Sequence, residues 1–190
     1  MTRQLAVARV LLSHGVRRYP EAVTQLEHAL QCAALARRDR AADELVLAAL
    51  LHDIGHLTPG ASQFVAAAEE PNRHHGQWGA LLVRPFVPAR VAWLIEHHVV
   101  AKRYLCTVDR GYADRLSPAS ARSLVAQGGP LSLSERLRLE AQPWFADAVR
   151  LRYWDDEAND PAATPPPLTD YLPLLERHFG PQSRRQLASS

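Results

Sequence analysis

The chain has 190 residues, with 22 lysines and arginines against 20 aspartates and glutamates, and 47% apolar but only 7% aromatic residues. That length supports one domain with a sizeable core, and the Ala- and Leu-rich composition, poor in β-branched runs, favours helices packed on helices. Arginines scattered without a basic block read as a solvated surface and exclude a nucleic-acid stripe. No apolar run is long enough for a membrane span, and Arg3, Gln4 and Arg9 break the N-terminal one, so neither a signal peptide nor a membrane partner is expected. Cys32 and Cys106 lack a CxxC spacing and read as reduced thiols of a cytoplasmic protein.

Residues 2–14 predict a first amphipathic helix ended by His14-Gly15. "RRYPEA" is a loop, with Pro20 at the approach to a second helix from about Ala22 to Arg38. Asp43 or a neighbour caps a third helix, Glu44 to Asp53, and Gly55 terminates it. "LTPGASQFVAAAEEPNR" is a long connection rich in small residues, of the kind that lies over a site. Helices follow near His75–Val83 and Pro88–Val100. A segment at 101–130 holds "LSPASARSLVAQGGP", and Ser132–Ala148 is read as helical. After "WDDEAND" come the linker "PAATPPP" and a terminal helix, Leu168–Phe179. The expected fold is all-α, a bundle of about seven to nine helices. Residues 1–160 are expected to form the core of the domain, and 161–190 a linker and C-terminal helix packing on the same domain.

The nine histidines are placed informatively. His98 follows Val91 by seven, Leu94 by four and Ile95 by three residues, so it shares the inward face of its helix. His52 is in register with Leu45, Ala48 and Ala49 and stands beside Asp53. Buried imidazoles and carboxylates are costly unless paired, and a shared metal satisfies several at once. Helix two adds His28, "NRHHGQWGALL" adds His74 or His75, and "LRYWDDEAND" adds Asp155 or Asp156. Imidazole and carboxylate without thiolate suit Fe, Mn or Zn, and spacing does not choose among them. His14 and His178 have no such neighbours and read as surface residues.

The order H…HD…D is the signature of the HD-domain superfamily of metal-dependent phosphohydrolases, and the two histidines between HD and the last Asp point to its two-metal members. The blocks "QLEHALQCA", "LAALLHDIGH", "LIEHHVVAKRYL", "LSPASARSLVAQGGP" and "RYWDDE" closely resemble the HD-domain mixed-valent di-iron oxygenases that break carbon–phosphorus bonds, of the 2-amino-1-hydroxyethylphosphonate oxygenase type. The resemblance spans roughly residues 18 to 160. It implies two Fe ions, Fe(II)/Fe(III), with O2 as co-substrate. The ligands would be His28, His52, Asp53, His75, His98 and Asp155, with Asp53 bridging. It prefers His75 to His74, where helical phase is indecisive, and His98 to His97, where phase agrees.

The resemblance also puts His56, Lys102, Ser120, Ser123 and Arg152 on the phosphonate. Their chemistry suits an anion: charge from Lys102, a fork from Arg152, short donors from the hydroxyls and His56. Glu21 would take a substrate ammonium. Arg18 stands where the family has a Tyr that closes one iron site, and Tyr19 lies one place closer to Glu21. The implied catalytic set is Asp53, His56, Glu21 and Tyr19. Phe64 and Trp78 are aromatics that could face a methylated ammonium.

The activity so implied is O2-dependent cleavage of the C–P bond of a 1-hydroxy-2-ammonioethylphosphonate, amino or N-methylated, releasing phosphate and glycine or glycine betaine. The functional partner would be a 2-oxoglutarate-dependent phosphonate hydroxylase acting upstream. The alternatives are a two-metal phosphohydrolase or phosphodiesterase of the same fold, in which metal-bound hydroxide attacks phosphorus, and a metal-stabilised binding module without turnover.

Overall fold

Capping chemistry sets where the second helix begins. Thr24 accepts from the Glu27 amide at 3.2 Å, and the Glu27 carboxylate accepts from the Thr24 amide at 2.7 Å. This reciprocal capping box starts the helix at Gln25, three residues after the expected Ala22. The computed structural model describes residues 3–16, 22–57 and 74–179. Its helices are α1 (Arg3–His14), α2 (Gln25–Arg38), α3 (Asp43–Leu51), α4 (His75–Val83), α5 (Ala89–Val108), α6 (Arg110–Asp114), α7 (Pro118–Ala126), α8 (Leu133–Glu140), α9 (Phe145–Glu157) and α10 (Leu172–Phe179). Short 3-10 turns occupy Ile54–Leu57 and Leu168–Tyr171. No strand occurs among the described residues.

The centre of the bundle is α3. Every residue from Leu45 to Leu51 is buried, as a helix that is apolar all round must be. It packs against α2, α5, α9 and α10, while α4 lies on α5 and on the turn that follows α3. Arg90 donates to Asp147 at 2.6 Å and fastens the start of α5 to α9. Leu168, Tyr171, Leu174, Leu175 and Phe179 join the same apolar cluster as α3. No described helix is long and apolar enough to cross a membrane.

Several expectations are corrected. The ten α-helices among the described residues exceed the seven to nine expected, because short helices fill the segment after α5. Nothing breaks α5 at Val100, and it runs to Val108, where Asp109 turns extended. The helix read over Ser132–Ala148 is two helices: Pro143 disfavours helical geometry at Gln142, and α8 stops before it. Asp43 lies in the first turn of α3 rather than capping it; Ala42 occupies that place without a side-chain bond. His14 and His178, read as surface residues, are half-buried.

Gly55 has a different job from the one expected. The residue that ends α3, His52, keeps right-handed helical geometry, and the chain tightens into the 3-10 turn. What Gly55 provides is room: a Cβ there would lie 2.0 Å from the His75 carbonyl oxygen. The His52-Asp53 turn and the start of α4 can therefore approach backbone to backbone. Gly128 and Gly129, by contrast, take φ of +98° and +70°. They reverse the chain after α7, so that the Gly129 carbonyl accepts from Arg103 at 2.7 Å.

Gly55→Ala should accordingly force the turn and α4 apart. The expected cost is about 1–3 kcal/mol or more, as for overpacking a close contact. Denaturant unfolding checks this, and the variant should also retain less metal, because His52, Asp53 and His75 flank the displaced contact.

Candidate metal centre and anion cavity

Six elements contribute to one buried cluster. His28 comes from α2, His52 and Asp53 from the end of α3, His56 from the turn, His75 from α4, His98 from α5 and Asp155 from α9. The inward phase read for His98 and His52 holds: their partners Val91, Leu94, Ile95, Leu45, Ala48 and Ala49 are all fully buried.

Backbone carbonyls fix the imidazole tautomers. His28 Nδ1 faces the Ala158 carbonyl at 2.9 Å, His52 Nδ1 the Ala49 carbonyl at 2.9 Å, and His98 Nδ1 the Ile95 carbonyl at 2.7 Å. A carbonyl only accepts, so each Nδ1 carries a proton and Nε2 is the nitrogen left to face a cation. These Nε2 atoms and that of His75 point at one another: His28 and His52 Nε2 are 3.1 Å apart, and His75 and His98 Nε2 are 2.9 Å apart.

Asp53 stands between these pairs. Its Oδ2 is 3.9 Å from His28 Nε2 and 3.7 Å from His52 Nε2. Its Oδ1 is 3.4 Å from His75, 3.6 Å from His98 and 3.9 Å from His56. Asp155 Oδ1 completes the first group, 3.2 Å from His28 and 3.6 Å from His52. The Asp53 Oδ2 atom is buried with no hydrogen-bond partner. Leaving such an acceptor unsatisfied costs about 1–3 kcal/mol, more when charged. Lone pairs converging from rings and carboxylates are what a cation satisfies. His28, His52 and Asp155 form one group fit for a metal ion, and Asp53, His56 and His75 another. With the far nitrogens of His28, His52 and His98 held by backbone carbonyls, the donor set fits two ions sharing Asp53.

The electrostatics agree. Burial opposes ionisation of Asp53, but His52, His98 and the neighbouring imidazoles hold its carboxyl well below the ordinary range. For Asp155 the same burial is outweighed by Arg152 and then by His52. The Cys32 thiol is pushed up by burial and stays protonated against His52, outside the donor set.

A cavity of about 50 Å³ opens beside this cluster. Asp53, His56, His75, His98 and Asp155 form one wall, and Lys102, Ser120, Ser123 and Arg152 are among the residues that line the rest. The periodicity of the helices aims these residues: Lys102 is one turn beyond His98 on α5, Ser120 and Ser123 are three apart on α7, and Arg152 precedes Asp155 by three on α9. Lys102 Nζ donates to Ser123 Oγ at 2.7 Å. Burial, then the nearby Arg152, lowers the Lys102 pKa to about 8. The His56 ring stacks on His75 with centroids 4.1 Å apart. Burial pulls the His56 pKa down, against the pull of Asp53.

Arg152 serves two masters. Its Nη1 donates to Asp155 Oδ2 at 2.6 Å, its Nη2 to Asp156, and its Nε to Tyr112 Oη at 2.9 Å and Asp156 Oδ2 at 3.1 Å. Tyr112 in turn donates to Asp156 at 2.5 Å. Two of the five guanidinium N–H groups remain for the cavity. Arg152 therefore orients Asp155 as well as lining the cavity.

The open choices resolve. His75 is buried at the cluster, whereas His74 turns to Gln77. His97 stacks on Trp93 instead of joining His98. Asp155, not Asp156, faces the imidazoles. Trp78 sits beside His74 and is absent from the described lining of the cavity. Tyr19, Glu21 and Phe64 lie outside the described residues. Gln127 and Asn159 line the cavity without having been singled out, although both lie in the quoted runs "VAQGGP" and "DEAND". Tyr112 carried no signal at all.

A helical bundle built around an HD pair, with one carboxylate split between two imidazole groups, defines an HD-domain protein, and the family model described as HD domain matches residues 25–127. A hydroxymethylphosphonate dioxygenase of Gimesia maris is 40% identical over 181 residues, covering 92% of this chain and 87% of that protein. A glycine-betaine-forming [1-hydroxy-2-(trimethylamino)ethyl]phosphonate dioxygenase of Leisingera caerulea is 35% identical over 157 residues, 83% of this chain and 80% of its own. An uncharacterised protein of Acanthamoeba polyphaga mimivirus is 32% identical over 160 residues, 82% of this chain and 71% of its own. The chain belongs to the HD-domain phosphonate oxygenase family and is an oxygenase.

Elemental analysis of anaerobically purified protein should find close to two metal ions per chain. Asp53→Ala, which removes the shared ligand, should lose most of both. His98→Ala should keep the ion of His28, His52 and Asp155 and lose the other.

Proposed function

We propose that this chain is a di-iron oxygenase that cleaves the C–P bond of a small 1-hydroxyphosphonate, with His28, His52, Asp53, His75, His98 and Asp155 as iron ligands and Asp53 as the bridge. The observation that carries the reading is the position of Lys102, Ser123 and Arg152 in one small cavity whose other wall is the divided carboxylate. A space of about 50 Å³ suits a compact anion and not a nucleotide, which disfavours the phosphodiesterase reading. The iron pair, when bound, supplies the activation of O2. Overall, a 1-hydroxyphosphonate and O2 give phosphate and a carboxylic acid.

The protein's own groups do the rest. Lys102 and the two remaining N–H groups of Arg152 neutralise and orient the phosphonate, turning C1 toward the metal wall. The Ser120 and Ser123 hydroxyls give short contacts to phosphonate oxygens. His56, stacked on His75, presents an imidazole edge at the junction of metals and substrate, where it can hold or pass a proton. Glu21 takes a 2-ammonium group, which makes the preferred substrate a 1-hydroxy-2-ammonioethylphosphonate, amino or N-methylated, with glycine or glycine betaine as product. Tyr19, displaced from the family's position, closes the iron site more weakly than the family's Tyr. A 2-oxoglutarate-dependent hydroxylase would install the 1-hydroxyl upstream, in the cytoplasm.

A second reading is favoured by the cavity's size and by its lining, which among the described residues has no carboxylate besides Asp53 and Asp155. On that reading the substrate is the one-carbon hydroxymethylphosphonate, named for the Gimesia maris relative, and the acid released is formate.

Phosphate release from the iron-loaded enzyme should require O2. It should be fastest with 2-amino- or 2-trimethylammonio-1-hydroxyethylphosphonate if Glu21 engages the nitrogen, and fastest with hydroxymethylphosphonate on the second reading. Phosphate released equally under argon would place the protein among the phosphohydrolases.

The pH dependence follows from Lys102. With a pKa of about 8, its charge is present below that pH and is lost as pH rises through it. Since kcat/KM reports the free enzyme, it should fall above pH about 8. Lys102→Arg, whose guanidinium stays charged, should move that limb to higher pH. Lys102→Ala should raise KM at least roughly tenfold at neutral pH, as expected for a lost charged contact, with the metal content unchanged.

A further inference from the structure

His28 depends on a carbonyl that belongs to no helix. The Ala158 carbonyl, which accepts from His28 Nδ1 at 2.9 Å, lies just past the last residue of α9. Something must hold the departing strand of chain at this distance from α2, and the α9 hydrogen bonds end there: the Ala158 amide closes on Trp154 at 3.0 Å, and the Asn159 amide turns back to Glu157.

Gln31 holds it. This side chain is buried, one turn after His28 on the same face of α2. Its Nε2 donates to the Asp160 carbonyl at 2.8 Å, and its Oε1 accepts from the Asp160 amide at 3.1 Å. A single carboxamide thus reads both main-chain groups of one residue. Only an amide offers a donor and an acceptor together at that reach. The Asp160 carboxylate takes no part, since it caps the Ala162 amide.

We infer that Gln31 is a positioning residue for the metal ligand His28. By pinning Asp160 to α2 it keeps the Ala158 carbonyl on Nδ1, which fixes the tautomer and aims a bare Nε2 at Asp155 and Asp53. This rests on the two-metal reading. Partners of this kind, one bond removed from the ion, change metal affinity by roughly 10- to 100-fold when removed.

The test is a chelator challenge of full-length protein loaded anaerobically with Fe(II), followed by Mössbauer spectroscopy. His28→Ala and His98→Ala serve as the single-site references. Gln31→Met, close in volume and unable to make either bond, should release one ion roughly 10- to 100-fold more readily than wild type. The signal that remains should match that of His28→Ala, and the thermal midpoint of the metal-free protein should move little. Asp160→Ala should behave as wild type, because the clamp uses main-chain groups. If Gln31→Met does not fold, Gln31→Glu keeps the acceptor but sets a carboxylate against the Asp160 carbonyl, and it should show the same selective loss. Wild-type retention of both ions in these variants overturns the inference. So does equal loss of both ions together with a destabilised metal-free protein, which would make Gln31 a packing residue. Wild-type protein that takes up fewer than two ions overturns the two-metal reading, and the inference with it.

Discussion

A buried carboxylate with bare ring nitrogens on either side is the constraint around which this bundle is arranged. Asp53 presents Oδ2 to His28 and His52 and Oδ1 to His56, His75 and His98, and nothing else reaches Oδ2. The proposed ligands arrive on four separate helices and the turn after α3, so their convergence depends on how those helices pack. Backbone carbonyls in turn take the far nitrogens of His28, His52 and His98. Without a cation, the polypeptide would hold repelling lone pairs in its interior. Such local conflict in an otherwise consistent fold marks a site maintained for function at the expense of stability.

The apolar framework makes this possible. The fully buried α3 delivers His52 and Asp53 to the centre, and its neighbours α2, α5 and α9 supply His28, His98 and Asp155. Gly55 lets the turn after α3 lie against the backbone of His75, which brings the two halves of the ligand set within one carboxylate of each other. Removing water from the cluster strengthens every charge in it. The same burial that would neutralise Asp53 and Asp155 is overcome only because imidazoles and Arg152 stand beside them.

Metal cluster and anion cavity are also joined through Arg152. One guanidinium restrains the ligand Asp155 and lines the cavity where a phosphonate would sit, while Tyr112 and Asp156 hold it in place. An anion drawing on Arg152 therefore acts on the same group that orients a metal ligand. Lys102 and Ser123 contribute charge and a hydroxyl from α5 and α7 without touching the ligands in this way.

Much of this could be read in the amino-acid order alone. The apolar run "LAALLHD" requires a buried helix ending in an imidazole and a carboxylate, and the spacing of Val91, Leu94 and Ile95 turns His98 inward. These inferences work because a 3.6-residue period reports which face of one helix is buried. It says nothing about what meets that face from another helix. So the choice between His74 and His75, or between Asp155 and Asp156, was settled only by packing, as was the double role of Arg152. Gly55 looked like a terminator and proved to be a close approach. Gln31, Tyr112 and Asn159 carried no periodic signal, since their partners lie 40 or more positions away or are main-chain atoms common to every residue. Local sequence determines which side chains are buried and which can bind a cation, and it supplies the carbonyls three residues before His52 and His98 that hold those rings; only the tertiary arrangement decides which rings and carboxylates meet and which carbonyl holds His28, because those contacts join segments that are distant in the chain.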